Sequence, residues 1–149
     1  ADVENATASS PAHNSYAHLA LVGDRIRQKW HNGAGTSDII ISNRGPRDGI
    51  IGTGLDASSY TLKFHSSEST WNGVIVTGDG SARLANSVLP EGIAYQPING
   101  LPLGPDNIFS AEWNDLPQLG APVGMPSGDN WLVICNQVMG NNELTAVWD

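Results

Sequence analysis

The sequence predicts an all-β domain, an antiparallel β-sandwich of two sheets with little helix. Three observations predict it. Short runs that are apolar or alternate with period two recur along the chain. Seventeen glycines and nine prolines are spread through the 149 residues rather than clustered, so turn signals arrive roughly every eight to twelve residues, the rhythm of sandwiches and barrels. No stretch holds an amphipathic helical period over about three turns.

Residues 1–14 are small and polar, without periodicity, and read as a flexible N-terminal arm. Residues 15–149 read as one β-sandwich domain with no internal repeat or linker. Residues 16–21 are short and apolar enough for a strand. Residues 24–30 (DRIRQKW) suit either a strand or a single helical turn, and the strand is the expectation. Residues 31–36 are a turn by composition. Residues 38–43 (DIIISN) form a strand with three consecutive isoleucines. Residues 44–49 turn the chain, and residues 60–64 alternate as a strand does.

Residues 71–76 continue the pattern into residues 77–80 (TGDG), a hairpin signal because an Asp-Gly pair tolerates the positive φ of a tight turn. Residues 81–88 return as the partner strand. Residues 96–107 hold three of the prolines and make a long loop or edge. Residues 108–113 and 131–137 read as further strands, the second nearly all apolar and so interior to a sheet. Residues 144–148 close the domain. At this length a domain needs no disulfide. The single cysteine, Cys135, lies in an apolar run and reads as a buried thiol.

Charge narrows the targets. Seven Lys and Arg stand against fifteen Asp and Glu, a net charge of −8. Nucleic-acid binding needs a basic surface to neutralise phosphates, so no nucleic-acid partner is expected. Adsorption to an anionic membrane by charge alone is equally disfavoured. No apolar run approaches the ~20 residues of a membrane-spanning helix, and no signal-peptide core is visible.

The motifs of catalysis are missing: no Gly-x-Ser-x-Gly elbow, no His-Glu-x-x-His, no phosphate-cradling glycine loop and no calcium loop. The chain therefore reads as a binding protein rather than an enzyme, without a cofactor or metal. His13, His18, His31 and His65 are scattered. The carboxylate pairs Asp56 with Glu68 and Glu112 with Asp115 read as solvated loop charges. What stands out is five tryptophans. Trp131 and Trp148 lie in apolar runs and read as core. Trp30, Trp71 and Trp113 adjoin turns and polar neighbours. Core burial competes with exposure at each, but exposed aromatics near strand ends are how a sandwich grips a lipid interface or a sugar face.

Several segments, taken in order, carry a resemblance. They are residues 15–18 (SYAH), His31 and Asn32 followed by DIIISN, residues 72–76, residues 84–87 (LANS) and Glu91 with Gly92. Trp113 follows with Asp115, Pro117 and Gly120, then residues 130–134 (NWLVI), and finally Asn142, Leu144 and Thr145. In this order and spacing the chain resembles the aegerolysin family of small β-sandwich proteins over residues 15–149. It departs where the family carries a dense aromatic stretch with Cys-Pro-Trp. Here residues 109–117 hold fewer aromatics, and Leu116 stands in place of the cysteine.

The resemblance implies a jelly-roll-like sandwich that binds a membrane lipid, often a sphingophospholipid. It also implies a larger membrane-attack/perforin-type partner that makes the pore, with both released to act at a target-cell membrane. Glu91 and Gly92 then occupy the family's acidic position before glycine. A lipid site at one end of the sandwich would combine Glu91 and Gly92 with Trp30, Trp71 and Trp113. A lectin-like module is the alternative, with polar loops at Asn99, Gly100 and residues 128–130 supplying hydrogen bonds. A metal-dependent enzyme using His31 or His65 is a third reading.

Overall fold

The computed structural model describes residues 15–21, 25, 29–52, 61–62, 70–95, 103–111, 129–138 and 144–147. Among the described residues there are eight strands: β1 (Tyr16–Leu19), β2 (Ile39–Asn43), β3 (Gly73–Thr77), β4 (Ala82–Ala85), β5 (Ala94–Tyr95), β6 (Gly104–Pro105), β7 (Leu132–Val138) and β8 (Leu144–Val147). Six form one antiparallel sheet in the order β4-β3-β2-β1-β7-β8, and β5 pairs with β6 in a small second sheet. The all-β fold class is the one expected, and β7 lies inside the sheet as its apolar run predicts.

Alternation sets which face is buried. Ala17 and Leu19 of β1, Ile75 of β3, Ala85 of β4 and Leu132 of β7 point to one face, where they pack with Trp71. Residues 88–95 and 103–109, between β4 and β7, lie over that face. Ile93, Ile108 and Phe109 join the same core. The segment is pinned by backbone bonds from Ile108 N to Val88 O (3.1 Å) and from Leu132 N to Ile108 O (2.8 Å). The second layer is thus a two-stranded sheet with its flanking turns.

Three isoleucines in a row cannot all obey period two. The register of β2 against β3 shifts between Ile39 and Ile41. Ile40 is the extra residue of a bulge, half-buried, while Ile39 is fully buried. The expected hairpin joins β3 to β4, closed by Thr77 N to Ser81 O at 2.9 Å. Asp79 caps it: its carboxylate accepts from the Thr77 hydroxyl at 2.6 Å and from Ser81 N at 3.0 Å. The Thr77 bond, then those from Ser81, hold the Asp79 carboxyl below its ordinary pKa.

Three segments differ from expectation. In the run 24–30 the described residue Arg25 is helical rather than extended: Lys29 N donates to Arg25 O at 2.9 Å, the i to i−4 bond of a helical turn. That spacing puts Arg25 and Lys29 on one inward face, where each finds a carboxylate. Within residues 60–64, Thr61 and Leu62 are helical, and Leu62 is buried in the core. Residues 108–110 form a turn rather than a strand, because the Asn107 side chain accepts from Phe109 N at 3.2 Å while Ser110 N bonds Asn107 O at 2.9 Å. The arm proposed for residues 1–14 lies outside the described residues.

Candidate binding surface

The helical turn at Arg25 and Lys29 carries its two cations inward. Arg25 is fully buried. It donates from Nη2 to Asp129 Oδ2 at 2.7 Å and from Nε to the Asp129 carbonyl at 3.3 Å, with its guanidinium 5.4 Å from the centroid of the Trp131 ring. Lys29 Nζ donates to Asp38 Oδ1 at 3.0 Å and to Asn130 Oδ1 at 3.2 Å.

Asn130 is the hub. Its Oδ1 also accepts from Ile39 N at 2.9 Å, and its Nδ2 donates to Ser37 O at 2.9 Å and to Asp106 Oδ2 at 2.7 Å. One buried amide therefore ties Lys29, the turn at Ser37, the start of β2 and Asp106 together at the mouth of β7. A charge taken out of water is tolerable only when so paired and hydrogen-bonded.

Inward-facing Lys29 leaves Trp30 facing out, 50% exposed. It rims a shallow depression of about 330 Å³ lined also by Lys29, His31, Asn32, Ala34, Ile40 and Gly78. The bulge in β2 supplies Ile40. His31 Nδ1 accepts from Gly33 N at 2.9 Å, which puts the proton of the neutral ring on Nε2. An indole, an imidazole, an amide and an apolar floor can hold a small group with one apolar face and a few hydrogen-bonding atoms.

The floor depends on Gly78. A Cβ there would lie 2.3 Å from Ala34 Cβ and 2.8 Å from the Ala34 carbonyl carbon, while Gly78 N donates to Asp38 O at 2.7 Å. Gly78→Val is expected to destabilise by about 1–3 kcal/mol through overpacking, and Ala34→Gly in the same chain to recover part of the loss. Urea unfolding of the single and double variants measures both.

The residues singled out in the sequence do not converge. Trp30 is at the depression. Trp71 is fully buried, its ring edge-on to Phe109 at 5.0 Å and its Nε1 bonded to Arg44 O at 2.9 Å. It belongs to the core, and a ring with no exposed surface cannot touch a ligand. Trp113 lies outside the described residues. Glu91 and Gly92 are the middle of a turn closed by Ile93 N to Pro90 O at 3.1 Å. Gly92, at φ +76°, is the third residue of that turn, where positive φ is required. The Glu91 carbonyl accepts from Arg83 Nη2 at 2.7 Å, and its side chain is exposed. Neither residue lines the depression.

Asp129 and Asn130, expected in a sugar-binding polar loop, are fully buried instead. Trp131 is core as expected, and Trp148 is not among the described residues. Among the described residues no three His, Cys, Asp or Glu side chains are placed to hold a metal, and no helix is long and apolar enough to cross a membrane. His65, Asp56, Glu68, Glu112 and Asp115 lie outside them. The outer face of the sheet is partly apolar at its β4 edge, where Val74 and the 73% exposed Leu84 are cross-strand partners.

The sequence matches no family model, and no curated protein or solved structure matches it.

Proposed function

We propose that the protein is a non-catalytic recognition domain for a membrane-lipid head group, the Trp30 depression being its contact. The observation that carries this is Trp30 itself, a large apolar ring half in water beside His31 and Asn32. An indole at such a site covers apolar surface at an interface while its polar tip stays wet. The net charge of −8 favours a zwitterionic or uncharged head group over an anionic one. The aegerolysin resemblance adds a sphingophospholipid and a larger perforin-type partner that makes the pore. The exposed Glu91 carboxylate, on a separate turn, is a second candidate contact for a head-group amine. The lectin-like reading draws on the same depression, since an indole flanked by an amide and an imidazole also suits a sugar face.

The test is binding to vesicles of one lipid class at a time: sphingomyelin, phosphatidylcholine and a glycolipid, each with the parent chain, Trp30→Ala, Glu91→Ala and Leu84→Ser. Covering the exposed half of an indole contributes about 1–1.5 kcal/mol. Trp30→Ala is therefore expected to weaken binding roughly tenfold with an unchanged unfolding midpoint. Glu91→Ala is expected to change the preference among lipids. Binding to glycolipid alone favours the lectin. Binding by no vesicle, or equal binding by parent and Trp30→Ala, removes the depression as the site.

A further inference from the structure

The turn that borders the depression carries a reactive pair. Ala34 N donates to His31 O at 3.0 Å, which makes Asn32 and Gly33 the central residues of a β-turn. Both are exposed, and Asn32 lines the depression beside Trp30 and His31. A glycine after an asparagine has no Cβ to keep its amide nitrogen from reaching the preceding side-chain carbonyl. That closure gives a succinimide ring and is one source of the thermal lability of asparagine.

A peptide N–H is a poor nucleophile until it gives up its proton. Gly33 N donates that hydrogen to His31 Nδ1 at 2.9 Å. In the neutral ring Nδ1 offers a lone pair, and the distance is within reach of a general base. The imidazole lies close over the glycine: a Cβ on Gly33 would be 3.2 Å from His31 Nδ1 and Cε1. A side chain there would crowd the ring that glycine admits.

We infer that Asn32 is a site of spontaneous covalent modification, in which Gly33 N, relieved of its proton by His31 Nδ1, attacks the Asn32 side-chain carbonyl. The bond from Gly33 N to Asn32 Cγ forms, and the bond from Cγ to Nδ2 breaks. The proton held by the imidazole leaves with Nδ2 as ammonia. Water then opens the succinimide at either carbonyl. The product is aspartate, or isoaspartate where the main chain is rerouted through Cγ, and nothing is oxidised or reduced. A carboxylate then stands at the depression in place of an amide. Isoaspartate also adds a methylene to the main chain between His31 and Ala34, and Ala34 is the residue that Gly78 approaches so closely in the floor. The chemistry does not depend on what the depression binds.

Asn72 with Gly73 is the comparison within the same chain. Gly73 is buried and paired with Ala85 in the β-ladder, and a Cβ there would lie 2.4 Å from the Trp71 ring. Held in a strand, its nitrogen is kept from turning toward the Asn72 side chain. Asn99 with Gly100 lies outside the described residues.

The experiment incubates the folded full chain in warm neutral buffer and follows Asn32 and Asn72 by peptide mapping and mass spectrometry, with isoaspartate distinguished from aspartate by fragmentation. Asn32 is expected to convert at least about tenfold faster than Asn72, below the full effect of an enclosed general base, and to yield isoaspartate as well as aspartate. His31→Ala and His31→Gln are each expected to slow Asn32 by about the same factor and to leave Asn72 unchanged. The glutamine can still accept from Gly33 N but takes up no proton, which separates a base from a mere restraint. Conversion of Asn32 no faster than that of Asn72 overturns the inference. So does aspartate without isoaspartate, the mark of direct hydrolysis, and so does a His31 variant that converts at the parent's rate or faster. The first two results are read on the parent alone and stand even where a variant does not fold.

Discussion

Trp71→Ala is expected to cost about 3–5 kcal/mol, the range for deleting a buried aromatic. The ring is fully buried between β3 and Phe109, edge-on at 5.0 Å. Truncation removes that contact and the bond from Nε1 to the Arg44 carbonyl, and it leaves a void in the cluster that includes Leu19, Ile39, Ile75 and Ile108. Total stabilities of about 5–15 kcal/mol are usual, so the loss approaches or exceeds half of the whole. Urea unfolding should show a midpoint far below that of the parent, or no folded baseline. A variant that unfolds like the parent would place Trp71 at the surface. Trp30→Ala, in the same experiment, should leave the midpoint where it was, which separates the two tryptophans that look alike in sequence.

Arg25→Met is expected to destabilise by about 3–5 kcal/mol, because removing one partner strands the other's charge in the interior. The guanidinium is bonded to the Asp129 carboxylate at 2.7 Å, with both side chains fully buried. Arg25→Met with Asp129→Leu replaces the pair by apolar groups and should be less destabilised than the single change. Thermal or urea unfolding of both checks this. Equal losses in the single and double variants would mean that Arg25 acts through its packing on Trp131 and not through its charge.

The elements read from the sequence succeed or fail for identifiable reasons. The hairpin at residues 77–80 was legible because its geometry is local: the turn needs Gly80, and Asp79 bonds to its neighbours Thr77 and Ser81. The interior position of β7 was legible because a strand covered on both faces has to be apolar throughout. Residues 24–30 were not, since DRIRQKW scores as strand or turn alike. The choice was made by Asp129, Asp38 and Asn130, which lie 9 to 104 residues from the cations they meet. The three isoleucines of β2 announced a strand but not the bulge that puts Ile40 in the depression, since the bulge exists only against β3.

The candidate site divides in the same way. A tryptophan beside a lysine and a histidine is visible in sequence at Trp30, and so is one beside a threonine and an asparagine at Trp71. Only the fold tells them apart, because exposure depends on what covers a side chain and Phe109 covers Trp71 from 38 positions away along the chain. The polar pair Asp129 and Asn130 resembles a solvent loop until Arg25 and Lys29 fold onto it. By itself the sequence determined the all-β class, the hairpin, the interior strand and the acidic charge, all of which follow from local pattern or plain composition. Tertiary structure alone decided which polar groups are buried and which tryptophan meets water, because both depend on contacts between residues that the chain order keeps apart.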